Sequence, residues 1–190
     1  MLIGLTGGIG SGKTTALAVF NELGFNTFSC DREVNALYKK RKVLKELKKQ
    51  FPQAIKGGIF LKADKKLIAR EIFEDEKKYV FLTDFLATAA FDAACLKAKK
   101  SKVDSVIEVP LLFEKNLSGA FDKVVVITRN AADRKKSAMA RSGLSEEEVA
   151  ARISAQVDYD GMDLSRFTVI ENNGTEEELK EKIKAAFAIK

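Results

Sequence analysis

The sequence predicts an α/β fold of three layers, with a five-stranded parallel sheet between helices. Three observations predict it. Short β-branched runs alternate along the chain with longer segments of helical periodicity. The first such run leads directly into Gly7-Gly8-Ile9-Gly10-Ser11-Gly12-Lys13-Thr14, and a helical pattern follows at once. Those eight residues fit G-x-x-x-x-G-K-[ST], a loop whose backbone amides cradle phosphate.

Leu2-Ile3-Gly4-Leu5-Thr6 reads as a buried strand, and Thr15 to Leu23 as a helix closed by Gly24. In the loop between them, glycines let the backbone turn several N–H groups inward, toward the positive end of that helix. Lys13 is expected to reach β- and γ-phosphates, and the Thr14 hydroxyl to ligate Mg²⁺. Phe25 to Ser29 reads as a second strand ending at Cys30-Asp31. Ligands of open α/β sheets bind beyond the carboxyl ends of strands, so Asp31 is a candidate catalytic carboxylate. It also suits a helix N-cap, and the two roles are compatible.

Apolar residues recur at helical spacing from Glu33 to Phe51, predicting one helix stopped by Pro52, with a lysine-rich outer face. Gly57-Gly58 marks a turn, Asp64 caps a further helix, and a long helical pattern runs from Glu76 to Lys100. No strand is expected between Arg32 and Lys100. Ser105 to Val109 is the third strand, with Glu108 near its end either holding Mg²⁺ through water or simply solvated. Asp122 to Thr128 is the fourth. A basic helix from Ala131 to Ser142 follows, then a capping box at Ser145-Glu146-Glu147-Glu148 opening a helix that carries Val149, Ile153 and Val157. This arginine-rich pair reads as a phosphate-clamping lid, with Arg141 its best candidate. Phe167 to Ile170 is the fifth strand, and Thr175-Glu176-Glu177-Glu178 caps the last helix.

Composition narrows the function. Of 190 residues, 46% are hydrophobic and 32% charged, which suits one compact domain. No stretch is expected to reach the length of a membrane span, and no targeting peptide precedes the loop, so the expected location is cytoplasmic. The two cysteines lack metal-ligand spacing and there is no histidine, which excludes structural zinc and histidine-based acid–base or triad chemistry. The net charge of +6 suits phosphate substrates, and with no Trp and three Tyr no base-stacking platform is indicated, so nucleic acid is not an expected partner. A GTPase would show N-K-x-D after a strand, where this chain has Arg129-Asn130-Ala131-Ala132-Asp133. Small size, a helical insertion after the second strand and a basic helical pair after the fourth favour a small-molecule kinase. The lysine-rich helix suggests the alternative, a nucleotide-controlled nucleic-acid-binding protein.

Gly4 to Thr15 and Val109-Pro110-Leu111-Leu112-Phe113-Glu114 together resemble the dephospho-CoA kinase family, and the similarity runs over nearly the whole chain. Leu23-Gly24, Asp31, Arg141-Ser142-Gly143-Leu144-Ser145, Gln156 and Ile170-Glu171-Asn172-Asn173-Gly174 support it. The resemblance implies a three-layer phosphate-loop kinase fold, with a core of 1–31, 101–130 and 160–190, a helical substrate-binding insertion over 32–100 and a lid over 131–159. It implies transfer of the ATP γ-phosphoryl group to the ribose 3′-hydroxyl of dephospho-CoA, with Mg²⁺ as cofactor. Asp31 would be the base, aided by Lys13 and Arg141. ATP would be held by Gly8, Gly10, Ser11, Gly12, Lys13, Thr14, Thr15, Arg141 and Asn172, with the Asn near adenine. The acceptor would meet Asp31, Pro110, Leu111, Leu112 and Glu114, and the metal Thr14 and Glu108. The chain departs from the family at several positions. Ser29-Cys30-Asp31 stands for Asp-Ala-Asp, Phe85-Leu86 for His-Pro, and Met162 for Lys, while Glu108 stands where Asp is common. The family's Gln-x-x-Arg falls on Arg134 and Ser137.

Overall fold

The computed structural model describes residues 1–142, 145–154 and 156–188, and of Arg141, Ser142 and Arg152 only the backbone. The chain divides into two compact units, one of residues 1–29 and 97–190, the other of residues 30–96.

The first unit is built on five parallel strands, β1 (Leu2–Thr6), β2 (Asn26–Ser29), β5 (Ser105–Glu108), β6 (Lys123–Thr128) and β7 (Thr168–Glu171), in the order β2-β5-β1-β6-β7. The central strand β1 pairs with β5 through Leu5↔Glu108 and with β6 through Thr6↔Val126. Its two neighbours lie on opposite sides, so the carboxyl end of β1 is the switch point where such sheets hold ligands. Both faces of β1 are covered, and Ile3 and Leu5 are fully buried, which explains its unbroken apolar character. On one face, helices α1 (Lys13–Glu22) and α8 (Glu176–Phe187) pack together. Phe20, Phe25 and Phe187 meet edge to face there, with ring centroids 5.3 to 5.9 Å apart. Both capping boxes form: Ser145 and Glu148 exchange bonds before α7 (Glu146–Ser154), and Thr175 and Glu178 before α8. The helix α6 (Ala131–Ser142) precedes α7.

The second unit holds α2 (Cys30–Leu37), α3 (Arg41–Gln50), a hairpin of β3 (Ile55–Lys56) and β4 (Lys62–Ala63), α4 (Lys65–Glu74) and most of α5 (Glu76–Lys99). Three expectations are corrected here. The helix expected from Glu33 to Phe51 is two helices. Lys39 and Lys40 close α2 with tight bonds to the carbonyls of Ala36 and Leu37, and Lys40 is extended. The apolar period reports which residues face inward and passes across the break, where no Gly or Pro marks it. Strands do occur between Arg32 and Lys100, but each has two residues, too few for an alternation to register. Finally, α5 is long and apolar enough, by length and composition, to cross a membrane. Its buried residues Leu82, Leu86, Ala90, Ala94 and Ala98 recur every fourth position, the stripe of a helix with one packed face. Phe85 stacks on Phe81 at 5.7 Å, and Phe81 in turn meets Phe51.

Candidate active site

The loop from Gly7 to Gly12 joins the carboxyl end of β1 to α1. Two of its glycines are fixed by space as well as by conformation. Gly10 has φ +76°, and a Cβ there would meet the Arg134 carbonyl oxygen at 2.0 Å. Gly12, at φ +96°, would meet Asn172 Nδ2 at 2.2 Å. Gly12 is also the N-cap of α1 and makes no side-chain cap, which leaves the first amides of the helix directed to the loop's concavity. Within that frame Lys13 Nζ donates to the carbonyls of Gly7 at 2.7 Å and Gly8 at 3.0 Å. The ammonium is therefore held over the loop rather than in solvent.

Thr14 Oγ1 donates to Glu108 Oε1 at 3.4 Å, and Glu108 is buried at the end of β5. A hydroxyl and one carboxylate are hard oxygen donors suited to a divalent cation that takes its other ligands from phosphates and water. Among the described residues no cluster of three acidic, Cys or His side chains could cage a metal by itself. The donor set fits Mg²⁺ carried with a nucleotide.

Three further contacts fix the loop from outside. Asn172, buried at the end of β7, donates from Nδ2 to the Ser11 carbonyl at 2.9 Å. Ile9 N–H donates to Gln156 Oε1 at 2.7 Å. The Tyr159 and Thr6 hydroxyls lie 3.1 Å apart, and burial pushes the Tyr159 phenol up to about 12. A cavity of about 240 Å³ lies between Gly8–Ile9 and the segment from Gln156 to Asp160. Val157 is expected on the helix, yet α7 ends at Ser154 and the Val157 amide instead donates to Glu114 Oε1 at 3.1 Å. The other carboxylate oxygen, Glu114 Oε2, is buried without a hydrogen-bond partner among the described residues. Phe113 packs on Tyr159 and Phe167 at 5.9 and 5.0 Å.

The residues expected at the site divide as follows. Gly8, Gly10, Ser11, Gly12, Lys13, Thr14 and Thr15 form the loop and the start of α1, with Glu108 against Thr14. Pro110 and Leu111 are partly exposed after β5. Leu112 is fully buried, and a Cβ on Gly4 would meet it at 3.0 Å. Asp31 is exposed in the first turn of α2, two residues beyond Ser29, and its carbonyl accepts from Asn35 Nδ2. The Arg141 side chain, with Gly143 and Leu144, lies outside the described residues. Sequence reasoning missed Tyr159, which reaches Thr6 across 153 residues with no local signal, and the ion pair of Arg134 with Asp160.

Residues 1–178 match the family described as Dephospho-CoA kinase. A dephospho-CoA kinase of Thermus thermophilus is 32% identical over 191 aligned positions, covering 99% of this chain and 91% of that protein. The crystal structure of TT1252 from Thermus thermophilus superposes with a TM-score of 0.82 at 31% identity, covering 99% of this chain and 96% of that one. A dephospho-CoA kinase from Campylobacter jejuni shares the fold at a TM-score of 0.69 and 23% identity, covering 98% and 95% of the two chains.

Proposed function

The chain belongs to the dephospho-CoA kinase family, and from that premise we propose how its own residues divide the transfer of phosphate from ATP to dephospho-CoA. The observation that carries the reading is the phosphate loop on β1 with Glu108 set against Thr14. The amides of Gly10 to Thr14 and the positive end of α1 hold the β- and γ-phosphates. Lys13 moves its ammonium from the Gly7 and Gly8 carbonyls onto the γ-phosphate, where it offsets charge developing on the transferred group. Thr14 and Glu108 would hold the Mg²⁺ that accompanies ATP. When bound, that ion would supply positive charge against the phosphates.

Asp31 orients the ribose 3′-hydroxyl and accepts its proton. The bond from the 3′-oxygen to phosphorus forms as the bridge to the β-phosphate breaks, and ADP leaves with that electron pair. Two facts support Asp31: it follows β2 at its carboxyl end, and Ser29 is the register partner of Glu108. Pro110, Leu111 and Glu114, following β5, contact the acceptor, and residues 32–100 hold the rest of it. Asn172 keeps the loop in shape beside the nucleotide, and Arg141 closes on the phosphates. The setting is cytoplasmic, with neither membrane nor nucleic acid as partner.

The test is a panel of acceptors given to the purified protein with Mg·ATP. The expected result is CoA and ADP, with kcat/KM for dephospho-CoA far above that for adenosine or AMP. Preference for adenosine or AMP overturns the acceptor.

A further inference from the structure

Arg134 stands in the first turn of α6 and touches the phosphate loop twice. Its carbonyl oxygen occupies the space a Cβ on Gly10 would need, and a Cβ on Gly8 would meet its Nη1 at 2.8 Å. The side chain is only 10% exposed, and its guanidinium is sparingly paired. Nη2 donates to Asp160 Oδ2 at 2.7 Å, while Nε is buried with no hydrogen-bond partner among the described residues. Asp160 itself is 64% exposed and is the one carboxylate paired with Arg134 among the described residues. A guanidinium has five N–H donors, and burying it beside a single solvent-facing anion leaves both charge and donors uncompensated.

The sequence around Arg134 is equally telling. The resemblance places the arginine of Gln-x-x-Arg at 137, where this chain has Ser137. The Ser137 hydroxyl accepts from Arg129 Nη1 at 2.9 Å, so it is tied to another cation and is not itself one. The positive charge stands three residues earlier, one helical turn nearer the loop.

We propose that Arg134 grips the nucleotide's phosphates in this chain, replacing from one turn earlier the arginine the family carries at 137, and that Asp160 is the anion it exchanges for them. The proposal rests on the ATP-dependent reading of the loop. The exchange is favourable because the partners are unequally buried. Asp160, mostly in water, rehydrates at little cost, whereas the buried guanidinium gains a multivalent anion that its fork geometry fits at two oxygens. The free Nε and the Nη1 beside Gly8 supply the donors. AMP, lacking the β- and γ-phosphates, takes less from this contact than ATP does.

Calorimetric Kd values for ATP and AMP, with steady-state turnover of dephospho-CoA, test it in wild type, R134Q, R134Q/S137R and D160N. R134Q is expected to weaken ATP by about tenfold or more with AMP changed less than about twofold, the scale of one charge-assisted contact. R134Q/S137R recovers most of the ATP affinity. D160N, which leaves the arginine in place and removes its competitor, raises the preference for ATP over AMP by about two- to fivefold. An unchanged ATP affinity in R134Q overturns the proposal, as does an equal loss for ATP and AMP, which would mark a structural role. A double variant no better than R134Q contradicts the exchange of positions. If R134Q does not fold, an ATP-to-AMP ratio unchanged in D160N overturns it instead. Full turnover of dephospho-CoA with nucleotide affinity insensitive to Arg134 removes this proposal alone. Arginine-dependent ATP binding without that turnover removes the acceptor assignment alone.

Discussion

Ile9 N–H donates to Gln156 Oε1 at 2.7 Å, joining the tip of the phosphate loop to the chain that follows α7. The bond ties the loop's tip to that segment through a backbone amide and so supports the loop's curvature. Q156A leaves that amide without its partner and lets the tip relax. A neutral bond of this kind contributes about 0.5–1.5 kcal/mol, so KM for ATP is expected to rise about two- to tenfold with kcat less affected. Steady-state kinetics at saturating dephospho-CoA reads the split.

Asn172 supports the loop at its other end through the Ser11 carbonyl. The amide is buried, and N172A strands an acceptor where water has poor access. The expected loss of unfolding free energy is about 1–3 kcal/mol, measured by urea denaturation. ATP affinity falls with it, because Ser11 lies within the cradle.

Tyr159 gives a pH dependence whose sign follows from burial. Its phenol ionises at about 12 in the fold against an ordinary value of 10.0. A pKa raised by folding means that the stabilisation is complete below pH 10 and is lost as pH rises toward 12. Stability measured by denaturant should therefore fall over that window in wild type, and Y159F should remove this component. A wild-type and Y159F pair with parallel alkaline profiles would contradict the assignment.

How much of this was legible in sequence depended on the distance over which each signal acts. The phosphate loop, both capping boxes and all five strands of the sheet are local patterns and were read within a residue or two. The strand order was not read, because it depends on pairing between β1 and strands more than a hundred residues away. The break before α3 escaped because Lys39 and Lys40 interrupt hydrogen bonding without disturbing the apolar period. The burial of Leu112 was not legible for a related reason: a motif names residues that travel together, and does not say which of them packs into the core. The pairings of Thr6 with Tyr159 and Arg134 with Asp160 join segments whose spacing carries no pattern.

The central claim is that a carboxylate at Asp31 serves the acceptor while the loop holds the donor. The most direct measurement is turnover of dephospho-CoA by D31N, with ATP binding followed in the same preparation. Removing the proton acceptor should cost about 10²–10⁴-fold in kcat while Kd for ATP stays within a factor of about two. Turnover by D31N at the wild-type rate would contradict the account.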